Sequence, residues 1–399
     1  MALIPESPNP RSLRLAIVVQ RYGEEVNGGA ELHARWLAEH LTGLAEVHVV
    51  TTCAVEYTTW ADYYRPGDSQ LNGVSVHRFP VDRPRRWSHF QKLTGTLVQR
   101  DHSLLDEWAW MGQQGPFSTP LFNFLRQSYP HFDAFIFVTY LYATTFFGLP
   151  LVSDKAILVP TAHDDPYLHL PLFRPTFHLP RYIVYNTRTE QELVGRVTHN
   201  QAVPQIVAGV GINVPADYSA ARFRQETGIT GDFALYLGRM DESKNVPELL
   251  AHFLRYRQED GRPLKLVLAG KSHIPLPDHP DVVALGFVSE QRKFDALAAA
   301  ALVVVPSLYE SLSMLALEAW LMGRPVLVNG GCQVLKDQCR QSNGGLYYTS
   351  YEEFAAGLTT LLERPDLRAQ LGDQGRRFAL AQYSWEVVLA KYRAILDNW

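Results

Sequence analysis

Three observations predict an α/β chain of two Rossmann-like domains with parallel sheets. The chain opens on a strand-loop-helix-strand series, and the same alternation restarts at Phe233. Its 399 residues also exceed what one hydrophobic core usually organises.

LRLAIVVQ at 13–20 is a short apolar run suited to a buried strand, and the loop RYGEEVNGG follows it. A helix is expected from Gly29, where Leu32, Trp36, Leu37 and Leu41 share one face. VHVVTT at 47–52 closes a βαβ unit, which requires a parallel sheet. VSVHRFP, AFIFVT, AILVP and YIVYN continue the strand series up to residue 186. Between 83 and 130 the strand rhythm breaks, so this stretch is expected to hold helices and a long loop with a functional role. FALYLG, LKLVLAG, DVVALGF, ALVVVP and PVLVNG are the strands of the second half, with helical patterns between them. Turn residues in GVGINVPAD and GITGD place the boundary at 209–232. The expected domains are 1–208, 209–380 and a final helical segment, 381–399.

Composition narrows the class. Apolar residues at 46% and charged residues at 20% describe a globular protein, and a net charge of −4 gives no reason to expect nucleic acid. Cys53, Cys332 and Cys339 have no metal-like spacing and suit a reducing compartment. No apolar run reaches the roughly 18 residues needed to span a membrane. MALIPESPNPRSLR lacks the apolar centre of a signal peptide. The expected location is the cytoplasm, with peripheral contact on the cytoplasmic face of a membrane as an option. The basic and aromatic stretch 83–100 (Arg83, Arg85, Arg86, Trp87, Phe90, Lys92) reads equally as a membrane-facing surface or as a packed helix with a charged outer face.

The richest stretch is PSLYESLSMLALEAWLMGRPVLV at 306–328. A buried strand ends at Pro306, and a helix is expected from about Ser313. Glu310 then lies in the turn, with Glu318 on the helix. Ligands of open parallel sheets sit beyond the carboxyl ends of the strands, and a helix amino terminus there favours a phosphate. Apolar neighbours on both sides make an unpartnered carboxylate costly. Gly238 and Arg239 end an earlier strand, and Lys244 precedes a helix opened by Pro247. Those two bases suit a diphosphate. Lys271 and Gly286-Phe287-Val288 follow further strands of the same half, as turns that read a base through the backbone. In the first half Gly28-Gly29 forms a strand-to-helix turn, and Glu31 is a carboxylate at a helix start. His163-Asp164-Asp165 follows a strand; His163 is either a site residue or a satisfied loop histidine, and the adjacent aspartates make a poor metal site. Asn186-Thr187 reads as a structural helix cap.

Glu310, seven residues, Glu318 and then GRPV, with YLGRMDESKN and NGGAE upstream, resembles the family 4 retaining glycosyltransferases of the GT-B fold. The resemblance departs at Ser311 and Ser313, where family members commonly carry glycine. It implies two Rossmann-like domains facing across a cleft, with the final helix crossing back to the first. It also implies a nucleotide diphosphate sugar as donor (UDP or GDP favoured), and a glycan, lipid-linked or small-molecule acceptor. No cofactor and no metal are implied. His163 would lie beside the reacting carbon, Arg239 and Lys244 on the diphosphate, Glu310 on sugar hydroxyls and Glu318 on ribose hydroxyls. Ser311, Leu312, Ser313 and Met314 would offer backbone N–H groups to the phosphates. A non-catalytic nucleotide-sugar or glycan binder, or an epimerase or hydrolase of the same plan, are the alternatives. A dinucleotide redox enzyme is disfavoured, because no G-x-G-x-x-G follows an early strand.

Overall fold

The computed structural model describes residues 13–26, 28–99 and 101–399. In chain order the first domain runs β1 (Arg14–Val18), α1 (Gly29–Leu41), β2 (Glu46–Thr52), β3 (Gly67–Leu71), β4 (Val74–Phe79), α2 (Trp87–Gln99), α3 (Leu104–Gln114) and α4 (Thr119–Ser128). It continues with β5 (Ala134–Val138), α5 (Ala143–Gly148), β6 (Ala156–Val159), β7 (Tyr182–Tyr185), α6 (Arg188–Thr198) and β8 (Gln205–Val207). The second runs α7 (Ala220–Thr227), β9 (Phe233–Leu237), α8 (Val246–Glu259), β10 (Lys265–Ala269), β11 (Val282–Ala284), α9 (Glu290–Ala299), β12 (Leu302–Val305) and α10 (Met314–Leu321). Then follow β13 (Val326–Asn329), α11 (Gln333–Ser342), β14 (Gly345–Tyr348), α12 (Tyr351–Glu363), α13 (Pro365–Tyr383) and α14 (Trp385–Leu396).

Among the described residues the strands form two sheets. The first has the order β3-β4-β2-β1-β5-β6-β7-β8 and the second β11-β10-β9-β12-β13-β14. Every pairing is parallel except β3 with β4. The central strands are buried on both faces, which explains their unbroken apolar runs. The strand order reverses at β1/β5 and at β9/β12, and the crevices beyond those carboxyl ends are where open α/β sheets take ligands.

Three strands escaped the sequence reading. β3 (GDSQL) is polar and almost wholly exposed, so it has no apolar alternation to see. β8 and β14 are short and half-buried. Among the described residues the stretch 83–130 holds the helices expected, α2, α3 and α4, without the long loop expected beside them. α3 begins with a capping box at Ser103 and Asp106, and α4 is capped by Ser118. Phe90 and Leu97 of α2 join the first core, and Arg85 is buried, donating to the carbonyls of Tyr57, Gln113 and Gln114. The packed-helix reading therefore fits 83–99, with Arg83, Arg86 and Lys92 on the outer face, while Arg100 lies outside the described residues. No helix among the described residues is long and apolar enough to cross a membrane.

α13 packs on α10, and α14 crosses to the first domain, burying Val388, Tyr392, Ile395 and Leu396 beside α1. The crossing is close. Trp385 stacks on His40 at 3.8 Å, and both rings bond the Asn213 carboxamide oxygen. Gly209 takes a φ of +74° at this junction, where any side chain would strike Tyr383.

Candidate active site between the domains

The loop after β12 carries Glu310, and its carboxylate lies 2.7 Å from the Lys244 ammonium. Lys244 is presented by a short turn that Asp241 caps, its carboxylate accepting from the Lys244 N–H at 3.0 Å. Burial disfavours the Asp241 charge, but the Ser243 hydroxyl and the charges of Arg239 and Lys244 outweigh it and hold the carboxyl below its usual range. Arg239 follows Gly238, which has a φ of +144°, and Tyr236 anchors the turn by donating to the Arg239 carbonyl at 2.6 Å. The Arg239 guanidinium is part-exposed and reaches across the cleft to the Tyr57 hydroxyl at 3.5 Å. Lys271 is exposed at the end of β10, where its carbonyl accepts from Met240 N–H. Gly286 binds the neighbouring turn through its carbonyl and leads into Phe287, which is 72% exposed, and half-buried Val288. Gly238, Arg239, Lys244, Lys271, Phe287 and Glu310 thus share one end of the second sheet.

The two serines have distinct duties. Ser313 caps α10, its hydroxyl accepting from Ala316 N–H at 3.2 Å. Its own N–H donates to Gln338 Oε1 at 3.3 Å, which corrects the expectation that it faces a phosphate. The N–H groups of Ser311, Leu312 and Met314 carry no such bond among the described residues. Neither serine has a positive φ, so the turn suits them. Ser311 is a cross-domain contact: its hydroxyl accepts from Asn186 Nδ2 at 3.3 Å and its carbonyl from Thr187 Oγ1 at 3.0 Å. Asn186-Thr187 therefore does more than the structural capping expected. Thr187 does cap α6, and it also ties the first domain to the Glu310 loop.

Glu318 sits one turn into α10 and is buried against Lys293 of α9 at 2.8 Å. One carboxylate oxygen is thereby engaged. Burial works against the Lys293 charge, but Glu318 and Glu290 outweigh it and hold the ammonium pKa above its usual value. Nothing local marks Lys293 as a site residue, since its partner lies on another helix. Cys332 lies buried beside Glu310, and burial pushes its thiol up to about 11.

From the first domain, Gly28 caps α1, and a side chain there would collide with the Glu31 carboxylate. Glu31 is buried in a bond with Gln20 and an ion pair with Arg21, so it stiffens this turn in addition to sitting at the helix start. A Cβ on Gly29 would lie 3.7 Å from Met314 Cε, so the glycine turn faces the amino terminus of α10. His163 Nδ1 is 3.1 Å from Asp165, and its ring centroid is 5.9 Å from that of Tyr309 on the Glu310 loop. Asp165 also accepts from the N–H groups of Tyr167 and Leu168, while Asp164 turns to His169. The structure thus gathers Gly28, Gly29, His163, Arg239, Lys244 and Glu310 around one cleft.

Residues 232–364 match the family model described as glycosyl transferases group 1. An uncharacterized glycosyltransferase of Methanocaldococcus jannaschii is 23% identical over 94% of this chain and 95% of its own length. The MMP alpha-(1->4)-mannosyltransferase of Mycolicibacterium hassiacum is 29% identical over 39% of this chain and 40% of its own length. Among solved structures, sucrose-phosphate synthase from Thermosynechococcus elongatus aligns with a TM-score of 0.71 at 16% identity, covering 97% of this chain and 98% of that one. Anabaena HepE in complex with UDP-glucose aligns at 0.66 and 14% identity, covering 97% and 100%. The chain has the GT-B fold, and residues 232–364 of its second domain are similar to the glycosyl transferases group 1 family.

Proposed function

We propose that this protein is a retaining glycosyltransferase that moves a hexose from a nucleotide diphosphate sugar to a hydroxyl acceptor. The observation that carries this reading is the Lys244–Glu310 pair beside Arg239, at the switch point of the second sheet and opposite Gly28-Gly29. Arg239 and Lys244 neutralise the departing diphosphate, with the unpaired N–H groups of Ser311, Leu312 and Met314. This is preorganised stabilisation of charge that grows in the transition state. Glu310 holds sugar hydroxyls, and the free oxygen of Glu318 the ribose. Lys271, Gly238, Phe287 and Val288 form the ledge for the base. The C1–O bond to the diphosphate breaks as the acceptor oxygen bonds C1 on the same face, and the acceptor proton passes to the leaving phosphate. His163 lies beside that carbon. Fixed cations take the place of a metal. HepE was solved with UDP-glucose, which makes UDP the first nucleotide to try. The acceptor is a glycan, a lipid-linked sugar or a small molecule, received by the first domain.

Titration calorimetry with UDP, GDP, dTDP and ADP tests the donor half, on native protein and on Arg239→Ala. One nucleotide should bind selectively, and roughly tenfold or more weaker without the guanidinium, the scale of one charge-assisted bond. No binding of any of the four would sink the reading. NMR of the product of transfer, run with a chelator present, tests the rest. An inverted anomeric centre would refute the same-face displacement, and loss of turnover in chelator would refute metal independence.

A further inference from the structure

A second cavity lies far from that cleft. It has a volume of about 360 Å³, within the range of small-ligand sites. One wall is the edge of the first sheet, at Arg181, Tyr182 and Ile206, where β7 begins and β8 runs. The other is a single face of α14 and the residues after it, with Lys391, Ala394, Ile395 and Asn398 at helical spacing and Trp399 just beyond. Tyr182 opens β7, so the cavity sits toward the amino ends of the strands. The proposed transfer site lies beyond the carboxyl ends.

The lining has a one-sided chemistry. Arg181 stacks over the Trp399 ring at 4.3 Å, and the indole N–H is fixed by the Asp133 carbonyl at 2.8 Å. The Lys391 ammonium has only a long bond, 3.4 Å, to the Ala208 carbonyl. Neither cation has a carboxylate within ion-pair distance among the described residues, and the cavity lining contains no Asp or Glu. Burial lowers the Lys391 pKa, as expected for a cation without a counter-charge. Two positive charges and two aromatic faces therefore line one hollow of ligand size.

We propose that this cavity is an accessory binding site for a phosphate monoester carried on a ring. Such a group has a charge of about −1.5 to −2 at pH 7, which balances Arg181 and Lys391 together. Arginine offers a fork for two oxygens and lysine a point charge, while Tyr182 and Trp399 cover a planar ring or a sugar face.

Phenyl phosphate is the test probe, with phenol and inorganic phosphate as its two halves. Calorimetry is run with saturating UDP, so that the transfer site is not the reporter. Phenyl phosphate should bind saturably, and roughly tenfold tighter than either half. Arg181→Gln and Lys391→Gln should each weaken it roughly tenfold. Ala394→Phe, at an exposed helix position, should block the cavity while leaving both cations in place. Nucleotide binding by all three variants should stay at the native level, which also reports that they fold. Absence of saturable binding, equal binding of phenol or phosphate, or native binding by Ala394→Phe would each overturn the proposal.

Discussion

Replacing Lys293 with methionine keeps the stem of the side chain and removes its charge. The ammonium and the Glu318 carboxylate are 2.8 Å apart, with side chains 15% and 7% exposed. At an effective dielectric constant of about 20 their attraction is about 6 kcal/mol. Desolvation offsets much of that, so the pair itself is worth far less. Losing one partner is a different matter, because a buried carboxylate is left uncompensated, at a cost of roughly 3–5 kcal/mol. In a domain of this size that is a fall in Tm of roughly 10 °C. The second lysine partner, Glu290, is 59% exposed and contributes little. The double variant Lys293→Met/Glu318→Gln should recover most of the loss. The assay is thermal unfolding of both single variants and the double, read as a double-mutant cycle. The deficit of Lys293→Met should be largest above pH 7 and shrink as pH falls, since burial already raises the Glu318 pKa and the unpaired carboxyl takes up a proton more readily. A loss under about 1 kcal/mol, or additive variants, would refute the view that burial governs this pair.

Glu190 is fully buried, accepting from the N–H groups of Ala162 and Asn186, and burial pushes its carboxyl up to about 8. A folded pKa above the unfolded value gives stability that is complete below about pH 4.5 and lost as pH rises through 8, so the Tm advantage of native protein over Glu190→Gln should shrink between pH 5 and 8.5 in thermal scans. Ser311→Gly deletes the acceptor of the Asn186 bond at a cost of about 0.5–1.5 kcal/mol, and steady-state kinetics should show a raised donor KM with little change in kcat. Ser313→Ala removes the cap of α10, and denaturant unfolding should report a loss of about 1 kcal/mol.

The strands that frame the cleft were legible because each is a short apolar run buried on both faces, as in FALYL and LVVV. Gly238, Arg239, Lys244 and Glu310 were legible because they follow such strands directly, so locating the strand end locates the residue. Lys293 and Gln338 were not. Each acts through a partner 25 residues away in sequence, and nothing local to the residue marks that partner. The same limit hid the Arg181 and Lys391 hollow, whose walls come from a sheet edge and a helix, Lys391 lying 183 residues beyond Ala208, which it touches just after β8.

Ser311 and Ser313 show how a departure from a family pattern acquires a physical cause. Glycine at a strand-to-helix turn suggests a demand for positive φ or for close approach of a ligand. Here neither residue has positive φ, so serine carries no backbone strain. Each hydroxyl instead has a bond that glycine lacks, one to the first domain and one within the turn of α10. The loop that carries Glu310 is therefore tied on both sides, and the bond from Asn186 spans the cleft, which on the proposed function opens to admit a donor. Opening the cleft breaks that bond and the one from Thr187 together, whereas the Lys244–Glu310 pair lies wholly within the second domain and survives. On the proposed function Lys244 and Glu310 would thus stay in register through a domain motion, whereas Arg239 would lose its bond to Tyr57.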